Sequence, residues 1–297
     1  ILAGVVKVGT IIDEVKILDD IPAVALTLLP QSVRKIFVGI STYDAGVPVY
    51  EVRKKEKEIG MAIKELARRD GISLRFVISR EPTLSSVVVS KNHLLDRGAE
   101  IVLLKTEQSL LVGKTEAVQD FEAYGERDFS RPARDAQSGM LPPKLAHIMV
   151  NLSECPYNKT ILDPFCGSGT IIQEALMLGY RSIIATDQSP KALSDTQKNI
   201  DWIIQKKGIA DSAVRIIQSD VRDIFSLELK DVHAVVSEPY LGPPFHGQES
   251  ERDIKAIYRQ LDELYAGAIE KGGAVLCGAG TVVWILPEIM EYAFDWP

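Results

Sequence analysis

From residue 143 onward, short apolar segments alternate regularly with longer amphipathic ones, and this alternation limits the possible folds more than any other feature. The predicted strands are 160–162, 181–186, 214–218, 232–237 and 273–278, and the predicted helices are 144–153, 170–178, 190–206 and 254–270. Strands separated by helices pair in parallel through right-handed crossovers. The pattern therefore predicts an α/β, doubly wound Rossmann-like sheet, which binds its ligands at the carboxyl ends of the strands.

The first 125 residues have a different organisation. The predicted strands are 35–41, 73–79, 100–105 and 109–114, and the predicted helices are 56–69 and 85–95. This mixture is typical of a smaller α+β module. Residues 126–143 are rich in charge, proline and glycine, and we interpret them as an ordered connector. The sequence thus predicts two domains, 1–128 including a linker and 129–297.

Composition excludes several classes of protein. The chain is 46% hydrophobic and 25% charged, as in ordinary globular proteins, and no apolar run approaches the roughly 20 residues that cross a bilayer. Its three cysteines and four histidines lack metal-ligand spacing. We expect a cytoplasmic protein that has no metal site and does not enter a membrane. Because the chain begins with Ile rather than Met, we expect the first domain to be incomplete at its start.

The net charge of −7 argues against a large non-specific nucleic-acid surface. Basic residues nonetheless cluster on the predicted helix 56–69 and just before it, at Arg53, Lys54, Lys55, Lys57, Lys64, Arg68 and Arg69. At helical spacing they form a positive face. Such a face fits either contact with phosphates or a solvated helix with Glu/Lys pairs.

The segment most specific for chemistry follows the first strand of the alternation. It reads DPFCGSGT and comprises Asp163, Pro164, Phe165, Cys166, Gly167, Ser168, Gly169 and Thr170. The two glycines allow a tight turn, and a helix start at Thr170 brings backbone N–H groups close to a ligand. The segment matches neither the P-loop nor the G-x-G-x-x-G pattern, so a nucleotide phosphate is not the expected ligand. Asp163, at the strand end, suits a cationic group.

Two further strands also end in acids. Asp187 lies 24 residues after Asp163, where doubly wound nucleoside-binding folds place an acid on the ribose hydroxyls. Asp220 and Val221 end the next strand and can hold an adenine, with the carboxylate on the amino group and the valine against the ring. The acids predict a nucleoside-binding site at one edge of the sheet.

The fourth strand runs into Ser237-Glu238-Pro239-Tyr240 and then Gly-Pro-Pro. The prolines fix a turn and the tyrosine offers an aromatic surface. A polar atom at this corner can accept hydrogen bonds from an exocyclic amine, while the aromatic ring stacks on an extruded base. We predict that these four residues are catalytic.

Together these motifs resemble the class I S-adenosylmethionine-dependent methyltransferases. The corner resembles the amino-methyltransferase branch, whose fourth strand ends in (Asp/Asn/Ser)-Pro-Pro-(Tyr/Phe). DPFCGSGT resembles the tRNA guanine-N2 methyltransferases that carry a THUMP RNA-binding domain. Residues 113–115 (GKT), 127–132 (RDFSRP) and 139–146 (GMLPPKLA) look like the junction between the two domains of that family.

This resemblance implies S-adenosyl-L-methionine as cofactor and tRNA or another RNA as partner, with residues 1–128 as a THUMP-like RNA-binding module. It places the methionine part at Asp163 and 167–169, with Met140 and Pro142 closing over the cofactor and Gln188 beside the ribose acid. Ser237 stands where the family usually has Asp, and Glu238 stands where it has Pro. Either could replace the acid. The alternatives are a DNA adenine-N6 or cytosine-N4 amino-methylase and an inactive RNA-binding relative.

Overall fold

The structure is a computed structural model that describes residues 4–30, 35–79, 81–134, 139–229 and 231–289. The chain divides into two compact units, Val5–Phe121 and a second unit of Ile1–Gly4 with Glu122–Pro297. Their boundary lies a few residues before the predicted position at residue 128. The interpretation of the first unit as a THUMP-like module stays a prediction.

The first unit is a five-stranded mixed sheet with helices. Its strands are β1 (Lys7–Val15), β2 (Lys35–Asp44), β3 (Ser73–Val77), β4 (Gly98–Lys105) and β5 (Leu110–Val118), in the order β1-β5-β4-β2-β3. A 3₁₀ turn (Leu18–Asp20) and helices α1 (Ile21–Thr27), α2 (Tyr50–Arg69) and α3 (Ser86–Lys91) complete it. Ser85 caps the N-terminus of α3 by accepting a hydrogen bond from the Val88 N–H at 3.3 Å.

The second unit has the predicted doubly wound architecture. Its strands are β6 (Thr160–Asp163), β7 (Ser182–Asp187), β8 (Ala213–Gln218), β9 (Val232–Ser237) and β10 (Leu276–Trp284), all parallel, in the order β10-β9-β6-β7-β8. Its helices are α4 (Phe121–Phe129), α5 (Pro143–Leu152), α6 (Thr170–Leu178), α7 (Pro190–Lys207) and α8 (Glu251–Ala274), and a 3₁₀ helix spans Val221–Leu227. The strand order reverses between β6 and β9, where such folds bind ligands.

Helices cover both faces of this sheet because its strands bury both sets of side chains. Ile161 packs in one core with α5, α6 and α7, whereas the next residue, Leu162, packs in another core with the 3₁₀ helix. Tyr265 on α8 is fully buried in a third cluster. The central strand β6 is buried at all four positions, as expected for a parallel sheet.

Several predicted element boundaries differ from the structure, including the start of α2 at Tyr50 and the end of α3 at Lys91, and two of the differences follow from tertiary contacts. The connector was predicted over 126–143, but residues 126–129 continue α4 because Arg127 is buried and bonded to Glu174. The strand predicted over 273–278 begins only at Leu276, since α8 runs through Ala274. The helix burying Leu261 and Tyr265 continues past residue 270, where it was predicted to end, and past residue 273, where the strand was predicted to begin. Residues 135–138 of the predicted connector lie outside the described residues.

Candidate active site

A cavity of about 870 Å³ opens at the carboxyl ends of the second unit's strands, at the β6/β9 reversal. The structure brings most of the predicted site residues together in its wall: Met140, 163–168, Thr170, Asp187, Gln188, Asp220, Val221 and 238–240. Pro142, Gly169 and Ser237 are not part of the lining. Gly169 is the N-cap of α6, and Pro142 is the exposed N-cap of α5.

The turn between β6 and α6 depends on its two glycines. Gly167 and Gly169 have φ of +52° and +84°, in the left-handed region that side chains disfavour. Thr196 on α7 donates to the Gly167 carbonyl at 2.7 Å, and Asn199 Nδ2 donates to the Ser168 carbonyl at 2.8 Å. These two buried side chains fix the turn against α7.

Asp187, at the end of β7, holds the same turn from the other side. Its Oδ2 accepts the Gly167 N–H at 3.0 Å and its Oδ1 accepts the Ser189 N–H at 2.9 Å. Each carboxylate oxygen retains a second lone pair. Asp187 can therefore fix the turn and also accept bonds from a ligand in the cavity.

Asp220, at the end of β8, forms an ion pair. Arg222 donates to it through its backbone N–H at 2.9 Å and through its guanidinium, which lowers the pKa of the carboxyl to about 2. The next residue, Val221, is buried and begins the 3₁₀ helix. The pair predicted to hold an adenine thus presents a charged acceptor beside an apolar side chain.

Asp163 is the most deeply buried acid of the cavity wall, with 1% of its surface exposed. Burial raises the pKa of its carboxyl to about 7. Hydrogen bonds from the Ser237 hydroxyl at 2.5 Å and the Phe165 N–H at 3.2 Å oppose this rise. Asp163 can bind a cation of the ligand when it is ionised.

The corner after β9 separates the roles of Ser237 and Glu238. Ser237 is fully buried, and its hydroxyl donates to Asp163. Glu238 is half-buried in the cavity wall, and burial raises the pKa of its carboxyl. Pro239 is buried, whereas Tyr240 is 58% exposed and accepts the Tyr265 hydroxyl at its carbonyl at 2.5 Å. Of the two polar residues, Glu238 is therefore the one that lines the cavity, and Ser237 does not.

Sequence patterns did not identify several residues of the wall. The wall also contains Lys191, Asp195 and Arg222, together with Leu264 of α8. Lys191 forms an ion pair with Asp195, and Arg222 forms one with Asp220. No motif marks these positions. Among the described residues, no group of His, Cys, Asp and Glu could hold a metal ion, and no helix is both long and apolar enough to span a membrane.

Comparison with known proteins agrees with this geometry. Residues 131–283 match the family described as UPF0020, RMKL-like, methyltransferase domain. The chain belongs to this family. The matched segment contains the whole DPFCGSGT turn, the three strand-end acids and the S-E-P-Y corner. The predicted methyltransferase fold and family are thus confirmed.

Named relatives are similar over part of their length. A tRNA (guanine(10)-N2)-dimethyltransferase of Methanothermobacter thermautotrophicus is 35% identical over 160 residues, which are 53% of this chain and 43% of that protein. This chain therefore spans less than half of that relative's length.

Solved structures show a similar fold. TrmN from Thermus thermophilus has a TM-score of 0.56 and 17% identity, covering 95% of this chain and 72% of its own. SMU.472, whose crystal structure is described as a complex with SAH, has a TM-score of 0.50 and 14% identity, covering 95% of this chain and 74% of its own. At these identities the likeness concerns the fold alone.

Proposed function

We propose that the second unit binds S-adenosylmethionine and methylates the exocyclic N2 amine of a guanine in tRNA. The observation that carries the proposal is that one cavity joins the glycine turn and Asp187 to the carboxylate of Glu238 and the ring of Tyr240. The first group suits a nucleoside cofactor and the second suits an amine on a flat base. The 35% identity to a tRNA guanine-N2 dimethyltransferase supports the substrate.

The residues of the wall fit this cofactor. A Cβ on Gly167 would meet nothing within 4 Å, so the backbone there is open to a ligand. Asp187 would accept the ribose hydroxyls through its remaining lone pairs. Asp220 with Val221 would hold the adenine, and ionised Asp163 would attract the positively charged end of the cofactor.

S-adenosylmethionine supplies a methyl group bonded to a positively charged sulfur, which is a good leaving group. The guanine N2 lone pair forms the new N–C bond while the methyl–sulfur bonding electrons return to sulfur. One N2 proton must then leave. Glu238 would accept a hydrogen bond from the amine and take this proton, because its raised pKa makes it a better base than an exposed glutamate.

Tyr240 and Pro239 would position the base. The conjugated amine of guanine is a weak nucleophile, so its lone pair must be aligned with the methyl group. The exposed ring of Tyr240 can stack on an extruded base, and its backbone is held by the Tyr265 hydroxyl. Ser237 would contribute indirectly, by bonding Asp163.

The first unit would deliver the RNA. All seven basic residues of the positive α2 face are exposed. Lys54, Arg68 and Arg69 pair with glutamates of the same helix, so the interpretation as a solvated face holds for part of it. The others, including Lys55, Lys57 and Lys64, would contact phosphates.

Radiolabelled methyl transfer tests the proposal. The protein is incubated with labelled S-adenosylmethionine and separately with unmodified tRNA, rRNA or DNA, and the labelled nucleosides are separated. We expect label in N2-methylguanosine or N2,N2-dimethylguanosine from tRNA, with Glu238→Ala as the control variant. Label in DNA adenine or cytosine would instead identify a DNA amino-methylase. Cofactor binding without transfer to any substrate would identify an inactive relative.

A further inference from the structure

A buried arginine lies directly behind the cavity wall. Arg131, in the segment between α4 and α5, is 3% exposed. Its Nη1 donates to Thr170 Oγ1 at 2.7 Å and its Nη2 donates to Met140 Sδ at 3.2 Å. Its Nε has no partner among the described residues, and its nearest carboxylate, Asp128, is 3.9 Å away. Burying a guanidinium with so little compensation is costly, which points to a role beyond packing.

The cavity wall itself is acidic. Its acids are Asp163, Asp187, Asp195, Asp220 and Glu238, and its bases are Lys191 and Arg222. Both bases are already paired with acids of the wall, Lys191 with Asp195 at 2.9 Å and Arg222 with Asp220. An anionic group of a ligand therefore needs a positive charge from behind the wall.

We propose that Arg131 is a positioning residue that acts through the Thr170 hydroxyl to form the subsite for the α-carboxylate of the cofactor's methionine part. This inference rests on the proposed function. Thr170 lines the cavity and accepts a hydrogen bond from the guanidinium, which leaves its own hydroxyl hydrogen to donate to the carboxylate. Thr170 is also the first residue of α6, whose unpaired N–H groups attract anions.

The segment carrying Arg131 is fixed to the turn between β6 and α6. Asn199, fully buried on α7, accepts the Ala133 N–H and donates to the Ala133 carbonyl, each at 2.9 Å. The same amide nitrogen donates to the Ser168 carbonyl at 2.8 Å. Because one side chain holds both the turn and the arginine segment, the position of Arg131 relative to Thr170 is fixed before a ligand binds.

Binding measurements with two matched ligands test the relay. S-adenosylhomocysteine carries the carboxylate, and S-adenosyl-3-thiopropylamine lacks only that group. Calorimetry gives both dissociation constants for the wild-type protein, Arg131→Met, Arg131→Lys and Thr170→Val. Arg215→Met, an exposed residue on β8, is the matched control.

We expect the wild-type protein and Arg215→Met to prefer S-adenosylhomocysteine by about tenfold or more, since charge-assisted hydrogen bonds are the strong ones. Arg131→Met and Thr170→Val should lose this preference through weaker S-adenosylhomocysteine binding, whereas their affinity for the amine analogue stays within about threefold. Arg131→Lys should keep part of it. Equal loss of affinity for both ligands would show a structural role and overturn the inference.

An unchanged preference for S-adenosylhomocysteine in folded Arg131→Met would also overturn the inference. If Arg131→Met does not fold, an unchanged preference in Thr170→Val overturns it instead. If the wild-type protein binds both ligands without preference, the carboxylate subsite is wrong while the cofactor assignment stands. If it binds neither, the cofactor assignment itself fails, and the relay fails with it.

Discussion

Ser237 donates its hydroxyl hydrogen to Asp163 Oδ1 across 2.5 Å, joining the carboxyl ends of β9 and β6. Ser237 stands where the resembled family usually has an acid, and its hydroxyl hydrogen is already used in the bond to Asp163. Glu238, the next residue, lines the cavity. This division assigns different properties to the two side chains, and each can be tested separately.

Glu238→Ala is expected to lower kcat by about 10²–10⁴-fold while the dissociation constant of S-adenosylhomocysteine changes little, since it removes the proton acceptor alone. Ser237→Ala should have the opposite profile. Without this donor the pKa of Asp163 rises further, and cofactor binding weakens more than kcat falls. Steady-state kinetics and calorimetry on both variants separate these effects. A larger fall in kcat for Ser237→Ala than for Glu238→Ala would assign the acceptor to Ser237.

The raised pKa of Asp163 predicts a dependence of stability on pH. Folded Asp163 keeps its proton up to about pH 7, whereas the unfolded residue loses it near 3.8. Between these values the folded state binds more protons, so stability falls as the pH rises, by an amount on the order of 1–4 kcal/mol. Urea denaturation at pH 5.5 and 7.5 measures the difference. In Asp163→Asn this contribution should vanish, and an unaltered difference would contradict the assigned pKa.

Ligand binding should show the reverse trend for the same residue. If ionised Asp163 attracts the cofactor's positive end, protonation competes with binding below pH 7. We expect S-adenosylhomocysteine affinity to weaken as the pH falls, by at most about tenfold per unit. Calorimetry from pH 5.5 to 8 measures this dependence. Asp163→Asn should bind weakly at every pH, and a profile parallel to that of the wild-type protein would show that another group titrates.

Asp187→Ala is expected to abolish measurable S-adenosylhomocysteine binding. The carboxylate accepts the N–H groups of Gly167 and Ser189, so its loss removes both the proposed ribose contact and the anchor of the turn. Asp187→Asn should retain part of the binding, because its amide oxygen can still accept one of these bonds. Calorimetry compares the variants. Unchanged affinity in the alanine variant would show that the ribose assignment is wrong.

The two turn glycines offer a matched pair of substitutions. Gly167→Ala places a Cβ in open space and should cost about 1–2 kcal/mol, from the left-handed backbone alone. At Gly169 the same Cβ would lie 3.0 Å from Thr196 Oγ1, so Gly169→Ala should cost more. Chemical denaturation measures both changes. Equal losses of stability in the two variants would mean that Thr196 can move away from the new Cβ without a cost in free energy.

Arg127, Glu174 and His147 form a buried charged cluster behind α6. Arg127 binds both carboxylate oxygens of Glu174, and His147 Nδ1 lies 3.0 Å from Oε2. Arg127→Met leaves the glutamate without its guanidinium and should destabilise the protein by about 3–5 kcal/mol. The double variant Arg127→Met/Glu174→Gln should recover part of this loss in chemical denaturation. Additive losses would show that the two residues are not coupled.

Much of the site could be predicted because its signals are local. The glycines at 167 and 169 mark a turn wherever the chain folds, since other residues pay for positive φ. Asp163, Asp187 and Asp220 each end a strand of one parallel sheet, and parallel strands bring their carboxyl ends to the same edge. These facts were sufficient to predict the fold and much of the cavity wall, and the resemblance of DPFCGSGT and the S-E-P-Y corner indicated the family.

The boundaries that were wrong depend on distant contacts. Residues 126–129 have the composition of a loop, yet they are helical. Arg127 forms an ion pair with Glu174, 47 residues away, and Glu126 pairs with Lys206, and these contacts hold the segment in α4. The last helix was predicted to end at residue 270, but α8 continues to Ala274 because its buried face outweighs the low helix propensity of the glycine at 273. Tertiary burial contributes more free energy than the propensity of a single residue.

The parallel sheet, the glycine turn and the strand-end acids could be predicted from the amino-acid sequence, because spacing along strands and helices fixes which residues reach one edge. The folded structure was needed to show that Ser237 bonds Asp163, that Glu238 lines the cavity and that Arg131 bonds Thr170. Those relations depend on which side chains are buried together from distant parts of the chain. Burial also raises the pKa of Asp163 and leaves Arg131 undercompensated, and no pattern of neighbouring residues encodes either effect.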